Sequence, residues 1–161
     1  MAKTHASDAQ RPQFRELTRT ECEELLARNN VGRIAFSLHD RVDVEPLHYV
    51  FADGWLYGRT SAGTKIATLQ HHPWVAFEVD EHRGVFNWKS VVVKGMFYLL
   101  EPEDTPATVD PIMARGVALL RSLLPETLTA SDPVPFRRTI FRIHLDEVTG
   151  REAYDPQSRA P

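Results

Sequence analysis

The stretch Gly58-Arg59-Thr60-Ser61-Ala62-Gly63-Thr64-Lys65 gathers hydroxyls, small residues and two cations into one short run. It reads as a strand end that turns and enters a helix at the lysine. Such a run suits an anion: Thr60, Ser61 and Thr64 offer hydroxyl donors, Gly63 lets the backbone approach closely, the helix start presents free N–H groups, and Arg59 and Lys65 bring positive charge. Its glycine spacing is not that of a Walker loop, so a nucleoside triphosphate is not implied. An ordinary solvated strand-to-helix turn would use the same residue types.

Two further stretches carry chemistry. In Glu45-Pro46-Leu47-His48-Tyr49-Val50 a proline interrupts what otherwise reads as a strand. Proline gives no ladder hydrogen bond, so the position is an edge or an opening in the sheet, against which a planar ring could lie and bond to free backbone groups. In Trp88-Lys89-Ser90-Val91-Val92-Val93-Lys94-Gly95, alternation puts Trp88 and Ser90 on one face, where an indole and a hydroxyl can flank a heteroaromatic ligand. An edge strand and a core tryptophan are the plain alternatives for these two.

The chain has 7 histidines, but none has ligand spacing. His71 and His72 are adjacent and share no face of a helix or strand, and His39, His48, His82 and His144 are scattered, so no metal site is expected. Neither G-x-S-x-G nor H-E-x-x-H occurs, and the single cysteine, Cys22, falls on the apolar side of a helix, where a buried thiol is expected.

The elements that must position these residues follow from period and punctuation. Thr18-Arg19-Thr20-Glu21 is a capping box, opening a helix whose apolar side carries Cys22, Leu25 and Leu26 and which Asn29-Asn30 stop. From Val31 the period becomes two, with Ile34, Phe36 and Leu38 on one side, a break at His39-Asp40-Arg41, and further strands over 42–51 and 55–60 around a turn at Ala52-Asp53-Gly54. A short helix over 65–71 ends at Pro73, and strands follow over 75–80 and 87–100. Asp110-Pro111 caps a helix with Ile112, Met113, Val117, Leu120 and Leu124 as its stripe, closed by Pro125. A last strand pair is expected over 139–144 and 145–149.

The pattern predicts a mainly β domain: a six- to seven-stranded antiparallel split barrel with two or three short peripheral helices, since closure removes exposed edges. The expected organisation is a disordered N-terminal arm over 1–13, one domain over 14–152 and a polar C-terminal tail over 153–161. A net charge of −3 over 161 residues excludes a protein devoted to gripping nucleic acid or an anionic membrane. One cysteine allows no intrachain disulfide and favours a reducing compartment. The polar start is not a signal peptide and no apolar run approaches the roughly 20 residues that cross a bilayer, so a cytoplasmic location is expected.

Taken in order, the first helix, Val31-Gly32-Arg33-Ile34-Ala35-Phe36, Pro46-Leu47-His48-Tyr49, Leu56-Tyr57-Gly58-Arg59-Thr60, Gly63-Thr64-Lys65, His72-Pro73-Trp74-Val75-Ala76-Phe77, the Trp88 to Gly95 run and the end from Phe141 to Gly150-Arg151 resemble the pyridoxamine 5′-phosphate oxidase-like split barrels. The likeness is to the small bacterial members, including nitroimidazole-resistance-type proteins, and covers roughly residues 15 to 152, the scale of one domain. The resemblance implies a homodimer with two FMN molecules in clefts at its interface. It implies that Pro46, Leu47, His48, Tyr49 and Val50 line the flavin ring through the backbone, and that Arg59, Thr60 and Ser61 contact ring, ribityl or phosphate. Lys65 would pair with the phosphate, Trp88 and Ser90 would reach the ribityl or ring side, and Arg151 would approach from the partner. His71 lies near an active-site histidine of the nitroimidazole-resistance-type members and is the catalytic candidate.

The turn has Thr64 where the vitamin B6 oxidase has an additional arginine, and that enzyme's C-terminal substrate-phosphate residues are not recognisable, so the resemblance implies an oxidoreductase for another small molecule. The alternatives within the same fold are a non-enzymatic flavin carrier or sensor and a haem-binding protein.

Overall fold

In the computed structural model, residues 11–101 and 110–156 are described. The elements run β1 (Gln13–Glu16), α1 (Arg19–Arg28), β2 (Val31–Leu38), β3 (Arg41–Ala52), β4 (Trp55–Thr60), α2 (Thr64–His71), β5 (Trp74–Gly84), β6 (Asn87–Leu100), α3 (Pro111–Leu123), β7 (Thr139–His144) and β8 (Glu147–Tyr154). The sheet order is β1-β8-β6-β5-β2-β3-β4-β7, and β6 also pairs with β7, so six strands from β6 round to β7 close a ring. Every pairing is antiparallel.

The ring is split because β6 changes partner along its length. Residues 88–94 pair with β8, whereas residues 97–100 pair with β7. The gap between is filled at the β7–β8 corner, where the Met96 amide donates to Asp146 Oδ2 at 3.2 Å and His144 Nδ1 donates to Asp146 Oδ1 at 2.8 Å. Gly95 stands where a Cβ would lie 1.8 Å from the His144 carbonyl oxygen, so only glycine lets the corner close.

Inward positions of the strands supply Ile34, Phe36, Leu47, Tyr49, Leu56, Phe77, Val79, Val91, Val93, Phe97, Phe141 and Ile143 to one core. The helix α1 lays Cys22, Leu25 and Leu26 onto it, started by the capping box: Glu21 N donates to Thr18 Oγ1 at 3.3 Å and Thr18 N to Glu21 Oε2 at 2.8 Å. The Tyr49 hydroxyl donates to the Leu26 carbonyl at 2.8 Å, satisfying one of the acceptors that a helix end leaves over. The helix α3 covers the outer face of β3, β4 and β7, where Leu120 meets Tyr57, Leu100 and Ile140 in a second cluster.

The mainly β, antiparallel barrel class expected from sequence is the one observed, with eight strands rather than six or seven. The added strand is β1, which begins at Gln13, the last residue assigned to the arm, and pairs with β8. The last strand lies over Glu147–Tyr154 rather than 145–149, so it continues into the first residues assigned to the tail, while Leu145 and Asp146 form the corner. The outermost parts of the expected arm and tail fall outside the described residues. Both expected turns exist: His39, Asp40, Asp53 and Gly54 all have positive φ, the geometry that suits two-residue hairpin connections.

Candidate functional site

The pairing of β3 with β4 covers only Tyr49 to Ala52, whereas its pairing with β2 runs from Arg41 to His48. Along residues 41–48, therefore, one edge of β3 has no strand beside it among the described residues. Pro46 sits in this open stretch, as its missing N–H requires. Leu47 and Tyr49 face the core and are buried, while Pro46 and His48 point outward, so a ligand lying on this edge meets backbone, proline and imidazole.

The turn after β4 leads into α2 beside that edge. Lys65 forms an ion pair with Glu45, which ties the helix start to the open stretch of β3. The first turn of α2 contains no acidic residue, and Gly63 at its N-cap makes no side-chain capping bond, which leaves the leading N–H groups available to an anion. Around Gly63 there is open space, and Ser61 and Thr64 are exposed. Thus the Lys65 end of the Ser61–Lys65 turn is brought to Glu45, next to Pro46, while His48 lies further along the strand at a cleft it shares with Arg59.

Arg59 is placed elsewhere. Strand alternation turns it to the face under α3, away from Thr60, and it is only 8% exposed. There it forms a two-pronged ion pair with Asp132, with Nη2 donating to Oδ1 at 3.1 Å. Asp132 also accepts from the amides of Leu128 at 2.8 Å and Val134 at 3.0 Å. The guanidinium first, and these amides with it, hold the Asp132 carboxyl well below the usual carboxylate range. The sequence reading missed Asp132; its place in Ser131-Asp132-Pro133 marks a turn, but nothing local points to an arginine so far back in the chain.

Trp88, Ser90 and Arg151 form a separate group. They line a cleft of about 470 Å³ between β6 and β8, with Ser90 directly opposite Arg151. Ser90 Oγ donates to Glu78 Oε1 at 3.0 Å. From Pro46 the successive cross-strand neighbours are Arg33, Glu78 and Val92, three strand steps or roughly 14 Å. One chain does not bring the two groups into contact with a single flavin ring.

His71 closes α2 at the end away from Lys65, about 9 Å along the axis. Its Nδ1 donates to the Ala67 carbonyl at 2.8 Å, and its exposed ring borders a wide cleft with His39, His72 and Trp74. No group of three or more His, Cys, Asp or Glu among the described residues is arranged to hold a metal ion. Cys22 is buried, and burial pushes its thiol up, consistent with a packing role. Among the described residues no helix is long and apolar enough to cross a membrane.

A split antiparallel barrel, opened along one strand edge near an uncapped helix start and a lysine, places the chain among the small split barrels. A family model described as pyridoxamine 5′-phosphate oxidase matches residues 18–152, and the chain belongs to that family. An uncharacterised protein of Rhizobium meliloti is 30% identical over 150 residues, covering 86% of this chain and 95% of its own. The crystal structure of an FAD-binding protein from Mesorhizobium loti is 33% identical with a TM-score of 0.67, covering 88% of this chain and 99% of its own. A structure described as a 5-nitroimidazole antibiotic resistance protein from Bacteroides thetaiotaomicron, 17% identical with a TM-score of 0.64 over 88% of this chain and 89% of its own, shares the fold.

Proposed function

We propose that the protein is a flavoprotein which binds FMN at a homodimer interface and serves as an oxidoreductase for a small molecule. The observation that carries this reading is the ion pair by which Lys65, at the start of α2, reaches Glu45 on the open β3 edge. A flavin nucleotide needs both features at once: a flat, partly polar strip for its ring and a cationic, N–H-rich turn for its phosphate. The 33% identity to a barrel described as FAD-binding supports a flavin, and the single anion-binding turn suits the one phosphate of FMN.

The donor set fits the group. Lys65 and the leading amides of α2 would hold the phosphate, Ser61 and Thr64 would donate to its oxygens, and the backbone of 46–50 with Pro46 and His48 would flank the ring. Bound flavin would supply the electron chemistry. The chain's own part is to bind, orient and shield, and no side chain in this strip is required to move a proton.

The test is a visible absorption spectrum of the purified protein before and after adding FMN or FAD, with excess removed by gel filtration. Retention of flavin bands with FMN, at about one per subunit, is the expected result. Lys65→Ala should weaken FMN binding by about 1.5–3 kcal/mol, the worth of a hydrogen bond to a charged group. A protein that retains neither nucleotide would reduce the reading to the fold, and a Soret band would replace flavin by haem.

A further inference from the structure

His48 ends the open β3 stretch, three residues or about 10 Å along the strand from Glu45. Beside it a second cleft begins. This cleft, of about 370 Å³, runs beneath the C-terminal end of α3, with Leu120, Leu123 and Leu124 on one side and Pro133 and Val134 on the other. Its volume is at the small end of the range that holds compact organic molecules.

Its polar lining is Asn30, His48, Arg59, Thr127 and Arg137, and the fixed charges among these, Arg59 and Arg137, are of one sign. Arg59 lines it but is neutralised by Asp132, and that ion pair fixes the wall of the cleft by holding the Leu128 and Val134 amides as well. Arg137 lines it too, and among the described residues its guanidinium has no carboxylate partner; it lies over the Phe136 ring, 5.9 Å from the centroid. Among the described residues no acidic side chain lines the cleft. One unneutralised cation on the rim of an apolar cleft selects for a ligand that is mostly hydrocarbon and carries one negative charge, because a dianion would leave charge unpaired and a cation would be repelled.

We infer that this cleft is a binding site for a small, largely apolar monoanion, such as an aromatic carboxylate, held with its ring among Leu120, Leu124 and Val134 and its carboxylate at Arg137. Its position next to a flavin rests on the proposed function, because His48 borders both; the binding itself does not.

The experiment is calorimetric titration of the full-length protein with 2-naphthoate and with the neutral 2-naphthylmethanol, in the wild type and in Val134→Trp, Leu123→Trp and Arg137→Gln. FMN retention is recorded in parallel. The wild type should bind naphthoate about tenfold or more tightly than the alcohol, the range set by a charge-assisted bond. Either tryptophan should abolish binding of both while leaving FMN retention and the circular dichroism spectrum intact. Arg137→Gln should level the two affinities. Absence of naphthoate binding to the wild type, equal affinity for acid and alcohol, or binding unchanged in both well-folded tryptophan variants would each overturn the assignment. Naphthoate binding to a protein that retains no flavin would uphold this site and sink the flavin reading alone.

Discussion

Lys65 and Glu45 face each other across the junction of α2 and β3, and this contact sets a condition on any anion that binds there. The Lys65 side chain is four-fifths buried and its ammonium is already shared with a carboxylate, so an incoming phosphate must divide it or displace Glu45, and it meets the repulsion of Glu45 in doing so. Removing that charge leaves the lysine free. Glu45→Gln should therefore tighten FMN binding about two- to fivefold, up to about 1 kcal/mol, the usual scale of a partly exposed pair. Quenching of flavin fluorescence on titration measures it. Affinity that falls in Glu45→Gln would mean that Glu45 orients Lys65 rather than competing for it. Asp132 shows the opposite arrangement: it locks Arg59 so completely that Arg59 holds a loop instead of facing the open turn. The type of residue was readable in advance, but its partner was not, because ion pairing across a barrel depends on which strand lies next to which.

At the scale of elements, what could be read from sequence was whatever is encoded by neighbours in the chain. The capping box at Thr18 and Glu21, the hairpin at His39-Asp40 and the Asp110-Pro111 start of α3 all appear as read, since each is a local exchange of hydrogen bonds or a local φ preference. The strand β1 was invisible because Phe14, its one apolar side chain, is exposed, and the side-chain contact that fixes it to β8, the ion pair of Arg15 with the buried Glu152, joins residues far apart in the chain. The open edge of β3 was legible from Pro46; the position of the uncapped helix start beside it was not. The junction at Gly95 is sharper in the structure than any pattern suggested. Gly95→Ala should cost about 3 kcal/mol, since the methyl meets a backbone carbonyl that can retreat only by opening the β7–β8 corner. A urea midpoint within error of the wild type would show that the corner yields. The clamp between α1 and β5 has a pH signature. Arg28 Nε and Nη2 donate to Glu81 at 2.6 and 2.9 Å, and the guanidinium holds the Glu81 carboxyl at about 2. A depressed carboxylate stabilises the fold above its unfolded value near 4.5 and loses that contribution as pH falls toward about 2. With Arg28 half-exposed, the loss should be about 1 kcal/mol, seen as a steeper fall in unfolding free energy between pH 5 and pH 2 in the wild type than in Glu81→Gln.

At the scale of the whole molecule, the two groups of candidate residues occupy different parts of one outer face. Around Pro46 and Lys65 lies a strip and a phosphate turn; around Trp88, Ser90 and Arg151 lies a cleft three strand steps away. The Arg33 pairs to Glu78 and Asp80 lie between them, and further along β3 from Pro46 the face carries exposed apolar residues, with Val42 at 75% and Val44 at 56%. A twofold axis through such a face lays one chain's strip against the other chain's cleft, which is how the proposed homodimer completes two sites from four halves. Two consequences separate this from a site confined to one chain. Val44→Glu places a charge in the contact, so it should convert the dimer to monomer by light scattering and lose FMN in the same step. In addition, Lys65→Ala and Arg151→Ala, each deficient as a homodimer, should complement when dissociated and remixed. Half of the random dimers are then mixed, and each mixed dimer has one site with both residues intact, so about one quarter of all sites should retain FMN. Complementation at that level requires Lys65 and Arg151 to act on one flavin from different subunits. Its absence, with mixed dimers shown to form, would place both residues in sites of a single chain.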